Sequence, residues 1–128
     1  MITYKRRNRK RIRLFLFLKE GGEILQYKFE TETGKLYVHM PREVDHHMSD
    51  AVRQEMDRLF IIYPVRGLVF DFADTNFMDS SGIGLIIGRC KNLKFSGGQA
   101  TAIHLNQQMQ RIFKISGLHK IIKVEEEQ

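Results

Sequence analysis

The chain has 128 residues, of which 42% are hydrophobic, so it is long enough for one globular domain with one core and too short for two. Its single cysteine, Cys90, can form no intramolecular disulfide and belongs to no cysteine cluster, which excludes disulfide-stabilised scaffolds and zinc fingers. A lone cysteine favours a reducing, cytoplasmic compartment. The formal net charge of +6 would be typical of a protein that binds nucleic acid or a membrane surface.

The positive charge is concentrated in the first 22 residues, which hold eight Lys or Arg and one acidic residue. The remaining 106 residues hold 13 basic and 14 acidic side chains, so we expect no DNA binding by the domain they form. The apolar run at residues 14–18 is far shorter than the roughly 20 residues of a transmembrane helix, and no transmembrane segment is predicted. We therefore predict a basic, poorly ordered extension over residues 1–22 and a folded domain over residues 23–128. The alternative for the extension is a basic arm that touches nucleic acid or anionic lipid.

The folded domain begins with two segments, 23–31 and 35–40, that are rich in aromatic and branched residues. A Thr-Gly pair lies between them, and this pattern predicts an antiparallel hairpin. Asp45 is placed to cap a helix over residues 46–63, in which apolar side chains recur at helical spacing.

Strands and helices then alternate along the chain. A short apolar strand is predicted at residues 68–72, a helix at 81–95, a strand at 100–105, a helix between Asn106 and Gly117, and a last strand at 121–124. The order β-β-α-β-α-β-α-β predicts an α/β fold whose sheet is mostly parallel after the hairpin.

The most informative segment is residues 71–84, where polar residues follow a buried strand and lead into a helix. The first N–H groups of a helix have no partners within it and carry partial positive charge, so this point favours a hydroxyl acceptor or an anion. A phosphate on Ser80 would be tolerated there. The alternative is that Asp79 and Ser80 serve only as helix caps.

Other chemistries fit this segment poorly. Gly82, Gly84 and Gly88 form a G-x-G-x-x-x-G pattern, but the loop before them is long and no acidic residue ends the next strand, so a dinucleotide site is not predicted. We interpret these glycines as allowing the helix close to its neighbours. The chain has no Gly-Lys-Ser/Thr phosphate loop, and no glycine stands two residues before Ser80 as a hydrolase elbow requires. The five histidines show no metal-binding spacing, so no metal or cofactor is predicted.

Three segments, 43–47, 77–84 and 113–122, resemble the STAS-domain anti-sigma factor antagonists, most closely the sporulation sigma-F type. The resemblance extends over about residues 26–125, in order and with matching spacing. It implies a STAS-like fold, a small mixed sheet with helices packed on one side, and identifies residues 23–128 as the STAS domain. The family's final helix has no counterpart after residue 124, so we expect the surface it covers to be exposed or met by another chain.

The resemblance implies a protein that works by binding and is not an enzyme. Such an antagonist binds an anti-sigma factor that is also a serine kinase, and so releases a sigma factor for transcription. The kinase then phosphorylates the first serine of Asp-Ser-Ser-Gly, which is Ser80, and the complex separates until a phosphatase restores the protein. Two alternatives remain: a STAS module of another stress or sigma pathway, and a serine-dependent enzyme that pairs Ser80 with a histidine base.

The resemblance also outlines a site around Ser80. Asp45 of the family's Asp-His-His segment is expected to lie beside the phosphorylated loop, with helix capping as its alternative role. A phosphate would add negative charge next to Asp79 and repel a docked partner with little refolding. The predicted loop and partner surface comprises Asp45, His46, Phe77, Met78, Asp79, Ser81, Gly82, Gly84 and Arg89.

Overall fold

The computed structural model describes residues 2–7, 10–18 and 24–126, and the side chains of residues 26–126. The strands are β1 (Ile2–Arg7), β2 (Lys10–Leu18), β3 (Ile24–Glu30), β4 (Lys35–His39), β5 (Glu43–Val44), β6 (Gly67–Asp71), β7 (Phe77–Met78), β8 (Gln99–Ile103) and β9 (Lys123–Glu125). The helices are α1 (His46–Ile62), α2 (Ser80–Phe95) and α3 (Gln107–Ser116), followed by one 3-10 turn at Leu118–Lys120.

Seven strands form one mixed sheet in the order β1-β2-β3-β4-β6-β8-β9, and β5 pairs with β7 apart from it. The strands from β1 to β4 are antiparallel neighbours, whereas β4, β6, β8 and β9 run parallel. A helix separates each successive pair of parallel strands, as a parallel sheet requires. The predicted α/β fold and its element order are confirmed, and β1, β2, β5 and β7 are additions to it.

The largest difference from the sequence analysis lies in the N-terminal extension, which we predicted to be poorly ordered. Ile2–Arg7 and Lys10–Leu18 are antiparallel strands, and residues 12–18 pair with Ile24–Glu30. The apolar run at 14–18 alternates Leu and Phe, which are compatible with a strand. Pairing with the edge of β3 gives the backbone N–H and C=O groups of this segment their hydrogen-bond partners. Residues 1, 8, 9 and 19–23 lie outside the described part of the chain.

The hydrophobic core lies between the helices and one face of the sheet. Phe70 of β6 and Phe72, the first residue after that strand, are fully buried, and Phe72 meets Phe113 of α3 edge to face at 5.5 Å. Phe29 of β3 stacks on Tyr63, the residue that ends α1, at 4.6 Å. Burying each of these rings contributes roughly 1.5–3 kcal/mol, so these contacts hold the end of α1 and the middle of α3 against the sheet.

Local signals set the helix ends within one residue of the predicted positions. Asp45 accepts from the Met48 N–H at 2.9 Å to cap α1, and Asn106 accepts from the Met109 N–H at 2.8 Å to cap α3. Gly117 ends α3 with φ +82°, a left-handed conformation that favours glycine. The α2 helix begins at Ser80, one residue earlier than predicted, because Asp79 is its cap.

One buried cation joins the first two helices. Arg89 of α2 is only 6% exposed, donates to the Arg53 carbonyl of α1 at 3.3 Å and pairs with the Asp57 carboxylate. Its guanidinium also stands over the Phe60 ring, 5.5 Å from the centroid. Arg89 therefore acts as an interhelical contact through both its charge and its aliphatic stem.

We expect Arg89→Ala to lower the free energy of unfolding by about 1–3 kcal/mol, because it removes buried packing and the contacts to Asp57 and Arg53. Lys91→Ala, an exposed change two residues along the same helix, should alter the free energy of unfolding by about 0.5 kcal/mol or less. Urea titrations followed by circular dichroism measure both. Equal losses in the two variants would show that the interhelical contact contributes no stability.

Candidate functional site

The starts of α1 and α2 lie side by side because the segments that lead into them are bonded together. Glu43 and Val44 of β5 pair in parallel with Phe77 and Met78 of β7. The Asp79 N–H then donates to the Val44 carbonyl at 3.3 Å. The β5–β7 pair thus brings together Asp45 and Asp79, which are 34 positions apart in the chain.

Asp79 caps both helices at once. Its Oδ1 accepts from the N–H groups of Ser81 at 2.9 Å and Gly82 at 3.2 Å, and its Oδ2 accepts from the His46 N–H at 2.8 Å. Desolvation opposes ionisation of this carboxyl, but the hydrogen bonds from Gly82, His46 and Ser81 outweigh it and lower the pKa of Asp79. The carboxylate is therefore charged at neutral pH and neutralises partial positive charge at two helix starts.

Ser80 is the first residue of α2 and is exposed. Its neighbour Ser81 is half-buried, and the Ser81 Oγ lies 3.4 Å from the His46 Nδ1. Among the described side chains, no carboxylate hydrogen-bonds to the His46 ring. Ser80 is thus exposed, and within the described residues the histidine contact at this helix start is that of His46 with Ser81.

The glycines of α2 fall into two classes. A Cβ on Gly82 would lie 2.4 Å from the Val44 carbonyl oxygen and 2.7 Å from the Met78 Cγ, so α2 can approach β5 and β7 only with glycine here. At Gly84 and Gly88 an added Cβ meets nothing within 4 Å. Close packing was predicted for all three positions; it is confirmed for Gly82 and wrong for Gly84 and Gly88, which lie open to solvent.

The remaining predicted site residues divide between surface and interior. Phe77 is 44% exposed just before the loop, whereas Met78 is 3% exposed and supports the loop from the core. Asp45 caps α1, as its alternative role predicted. Arg89 was predicted at the partner surface, but its buried contacts with α1 remove it from that surface.

The structure also brings together residues that the sequence analysis did not connect. His39, Asp71 and His104 meet at the carboxyl ends of β4, β6 and β8. The sequence did contain a signal for this contact, because each of the three residues lies at or just after the end of a predicted strand. Neighbouring parallel strands end at the same edge of a sheet, so such residues meet there.

Within the described residues no group of three or more His, Cys, Asp or Glu side chains could hold a metal ion. None of the helices among them is long and apolar enough to cross a membrane.

Comparison with known proteins agrees with this geometry. The family model described as "STAS domain" matches residues 26–127. An anti-sigma F factor antagonist of Paenibacillus polymyxa is 37% identical over 100 residues, which cover 78% of this chain and 86% of that protein. An anti-sigma F factor antagonist of Lysinibacillus sphaericus is 30% identical over 76 residues, which cover 59% of this chain and 65% of that protein.

Solved structures share the fold. The anti-sigma factor antagonist SpoIIAA in its unphosphorylated form superposes with a TM-score of 0.66 at 21% identity, covering 90% of this chain and 88% of that one. The phosphorylated form of SpoIIAA from Bacillus gives 0.60 at 22% identity, covering 90% and 91%. On the extent of the family match and the identity to its relatives, the chain belongs to the STAS domain family.

Proposed function

We propose that this protein is an anti-sigma factor antagonist that binds an anti-sigma factor with serine kinase activity, and that phosphorylation of Ser80 by that kinase ends the binding. The observation that carries this is the exposed Ser80 hydroxyl at the start of α2, beside an open strip of helix surface. The names of the relatives support the role, since they are anti-sigma factor antagonists. A phosphatase would return the protein to its binding form in the cytoplasm.

Ser80 is favoured over Ser81 as the acceptor by accessibility. A kinase must surround the hydroxyl it modifies, and Ser80 is exposed whereas Ser81 is half-buried beside His46. The partial positive charge of the helix start, part of which Asp79 already neutralises, compensates at most about 0.3–1 kcal/mol of the repulsion that a phosphate on Ser80 meets.

The switch acts through charge. A phosphate adds about −1.5 to −2 charges at neutral pH, next to an Asp79 carboxylate whose lowered pKa keeps it ionised. The free domain can leave this charge in water, whereas a docked partner must remove water from it. A tenfold loss of affinity requires only about 1.4 kcal/mol, which one desolvated contact between like charges supplies.

The partner surface that we propose consists of Phe77 and the side of α2 that carries Ser80, Gly84 and Gly88. These three helix positions are four residues apart and therefore share one face. Gly84 and Gly88 present no side chain, so a partner's backbone can come close to the helix. Phe77 supplies an exposed apolar contact at the end of the strip where Ser80 lies.

A second candidate within this class is an antagonist of the sigma-B type. An anti-sigma-B factor antagonist of Listeria monocytogenes is 26% identical over 98 residues, covering 74% of this chain and 82% of that protein. We favour the sigma-F system of sporulation because the relative named for it is the more similar over a comparable length. The alternative of a serine-dependent enzyme has little support, since His46 contacts Ser81 and does not contact Ser80.

Ser80→Ala should abolish phosphorylation by the purified anti-sigma kinase and leave the Kd for the kinase within about threefold of wild type. Ser80→Asp should weaken binding about tenfold or more, because it places a permanent charge at the interface. Peptide mapping after incubation with ATP identifies the modified residue, and calorimetry gives the Kd. Ser81→Ala is the matched control and should still be phosphorylated.

Phosphate on the Ser80→Ala protein would contradict the assignment of the acceptor. Failure of the unmodified protein to bind any anti-sigma kinase would contradict the function itself. An esterase activity that disappears in Ser80→Ala would favour the enzyme alternative.

Gly84→Gln tests the partner surface. We expect the variant to fold with equal or greater stability, since the site has open space and Gly is about 0.5–1 kcal/mol less favourable than most residues in a helix. We expect its Kd for the anti-sigma kinase to rise at least tenfold, because the new side chain keeps the partner from the helix backbone. Lys114→Gln, an exposed change on α3, serves as the control. Unchanged affinity in Gly84→Gln would place the interface elsewhere.

Asp79→Asn tests the shared cap. The folded pKa of Asp79 is lowered, so its carboxylate contributes stability above its unfolded pKa, and that contribution is lost as pH falls through the folded pKa. We therefore expect the variant to be less stable than wild type at pH 7 and the difference to vanish in acid. Urea unfolding at pH 7 and at successively lower pH, well below the ordinary aspartate pKa of 3.8, measures it. A difference that persists unchanged at low pH would show that the charge on Asp79 is not what stabilises the two helix starts.

A further inference from the structure

A group of four titratable side chains lies at the carboxyl ends of the parallel strands and in the loop after β6. His39 of β4 places its Nδ1 3.4 Å from the Asp71 Oδ2 and its Nε2 2.7 Å from the Asp74 Oδ2. Asp71 ends β6, and its Oδ1 faces the His104 Nδ1 at 2.8 Å and accepts from the Ala73 N–H at 2.9 Å. We call His39, Asp71, Asp74 and His104 the strand-end cluster.

His39 is held between two carboxylates, one at each ring nitrogen. A neutral imidazole has one N–H and one lone pair, so it can donate to only one of them, whereas the imidazolium donates to both. Burial lowers the pKa of His39, but the hydrogen bonds and charges of Asp74 and Asp71 outweigh burial and raise it. The geometry therefore assigns two hydrogen bonds to the charged ring.

Other charges face the cluster from the neighbouring elements. Lys28 of β3 lines a cavity of about 310 Å³ with His39, Asp71 and His104. Arg42, from the segment after β4, lines a second cavity of about 750 Å³ with His39 and Asp74. A positive charge on either residue opposes protonation of His39, whereas the two carboxylates favour it at hydrogen-bond distance.

Asp71 is held ionised for this role. Desolvation raises its pKa, but hydrogen bonds from His104, the Ala73 N–H and His39 outweigh desolvation and lower it. His104 takes up this contact with a φ of +62°, an unfavourable backbone conformation for a residue that is not glycine. The chain thus accepts local strain at His104 where its ring meets the strand-end cluster.

A continuous series of cross-links connects the strand-end cluster with the start of α2. After His39–Asp74, the Thr75 Oγ1 donates to the Pro41 carbonyl at 2.8 Å, and the Asn76 N–H donates to the Arg42 carbonyl at 2.8 Å. The β5–β7 pair follows, and the series ends with Asp79 bonded to the His46 N–H. His39–Asp74 is the first of these links and the one that can lose a proton near neutral pH.

We propose that His39 is a positioning residue for the Ser80 loop, whose protonated ring ties the loop after β6 to the sheet and makes partner binding depend on pH. The regulatory part of this proposal rests on the proposed function of the Ser80 site. The coupling from His39 to Ser80 is a property of the free domain and stands or falls without a partner.

The sign of the effect follows from the direction of the shift. Because the folded pKa of His39 is raised, its stabilising contribution is fully present below the unfolded pKa of about 6.5 and is lost as pH rises through the folded value. Above the folded pKa the His39 ring is neutral, and one of its nitrogens carries a lone pair that faces a carboxylate. The hydrogen bond to either Asp71 or Asp74 is then lost. Asp74 is 73% exposed and borders the 750 Å³ cavity, so the loop has room to move away.

Histidine ring signals and backbone amide signals, recorded by NMR from pH 5 to 9 on the full chain, test the coupling. We expect Asp74→Asn to lower the titration midpoint of His39, and Glu32→Gln, an equal charge change in the hairpin turn, to leave it in place. In wild type the Ser80 amide should shift with the His39 midpoint, and His39→Gln should remove that component. His119→Gln is the control for loss of a distant histidine.

These measurements distinguish failure of the positioning role of His39 from failure of the proposed binding function. A Ser80 amide that ignores the His39 midpoint, or a His39 midpoint unchanged in Asp74→Asn, overturns the positioning role whatever the protein binds. If the coupling is present, the Kd for the anti-sigma kinase should rise severalfold between pH 6 and 8 in wild type and stay flat in Asp74→Asn. A parallel pH dependence in both proteins overturns the regulatory claim, and coupling without any kinase binding instead overturns the proposed function.

Discussion

The site depends on one carboxylate that serves two helices. Asp79 receives N–H groups from the first turn of α2 and from the first residue of α1, and so fixes the two helix starts against each other. Without this bridge, the start of α2 beneath the exposed Ser80 would be held beside α1 only by the β5–β7 pair, the Arg89 contacts and the core. The charge that orients the loop is also the charge that a phosphate on Ser80 would meet.

Around Asp79, some residues pack against the core and others are exposed to solvent. Gly82 allows α2 to lie against the Val44 carbonyl, and Met78 fills the core beneath. Two residues later, on the other side of the helix, Gly84 is exposed, and a Cβ added there would meet nothing within 4 Å. A phosphate on Ser80, as we propose, would add charge to this surface while the packing of Gly82 and Met78 holds its shape.

The sequence predicted those features that depend on neighbouring residues and missed those that depend on distant ones. The caps at Asp45, Asn106 and Gly117 follow from short-range rules, and all three are present. Arg89 is buried against α1, and its partner Asp57 lies 32 positions earlier in the chain. No local sequence pattern indicates this contact. The bonds of His39 with Asp71 and Asp74 likewise appear only once the strand order is known.

The strand β1 has a consequence for how copies of this protein meet. It is one border of the seven-stranded sheet, and its six residues include Lys5, Arg6 and Arg7. A bare border strand invites another chain to add to it, and a row of like charges resists such growth into fibres. Repulsion among Lys5, Arg6 and Arg7 would therefore oppose the pairing of two such borders, and since that repulsion is electrostatic, concentrated salt would weaken it.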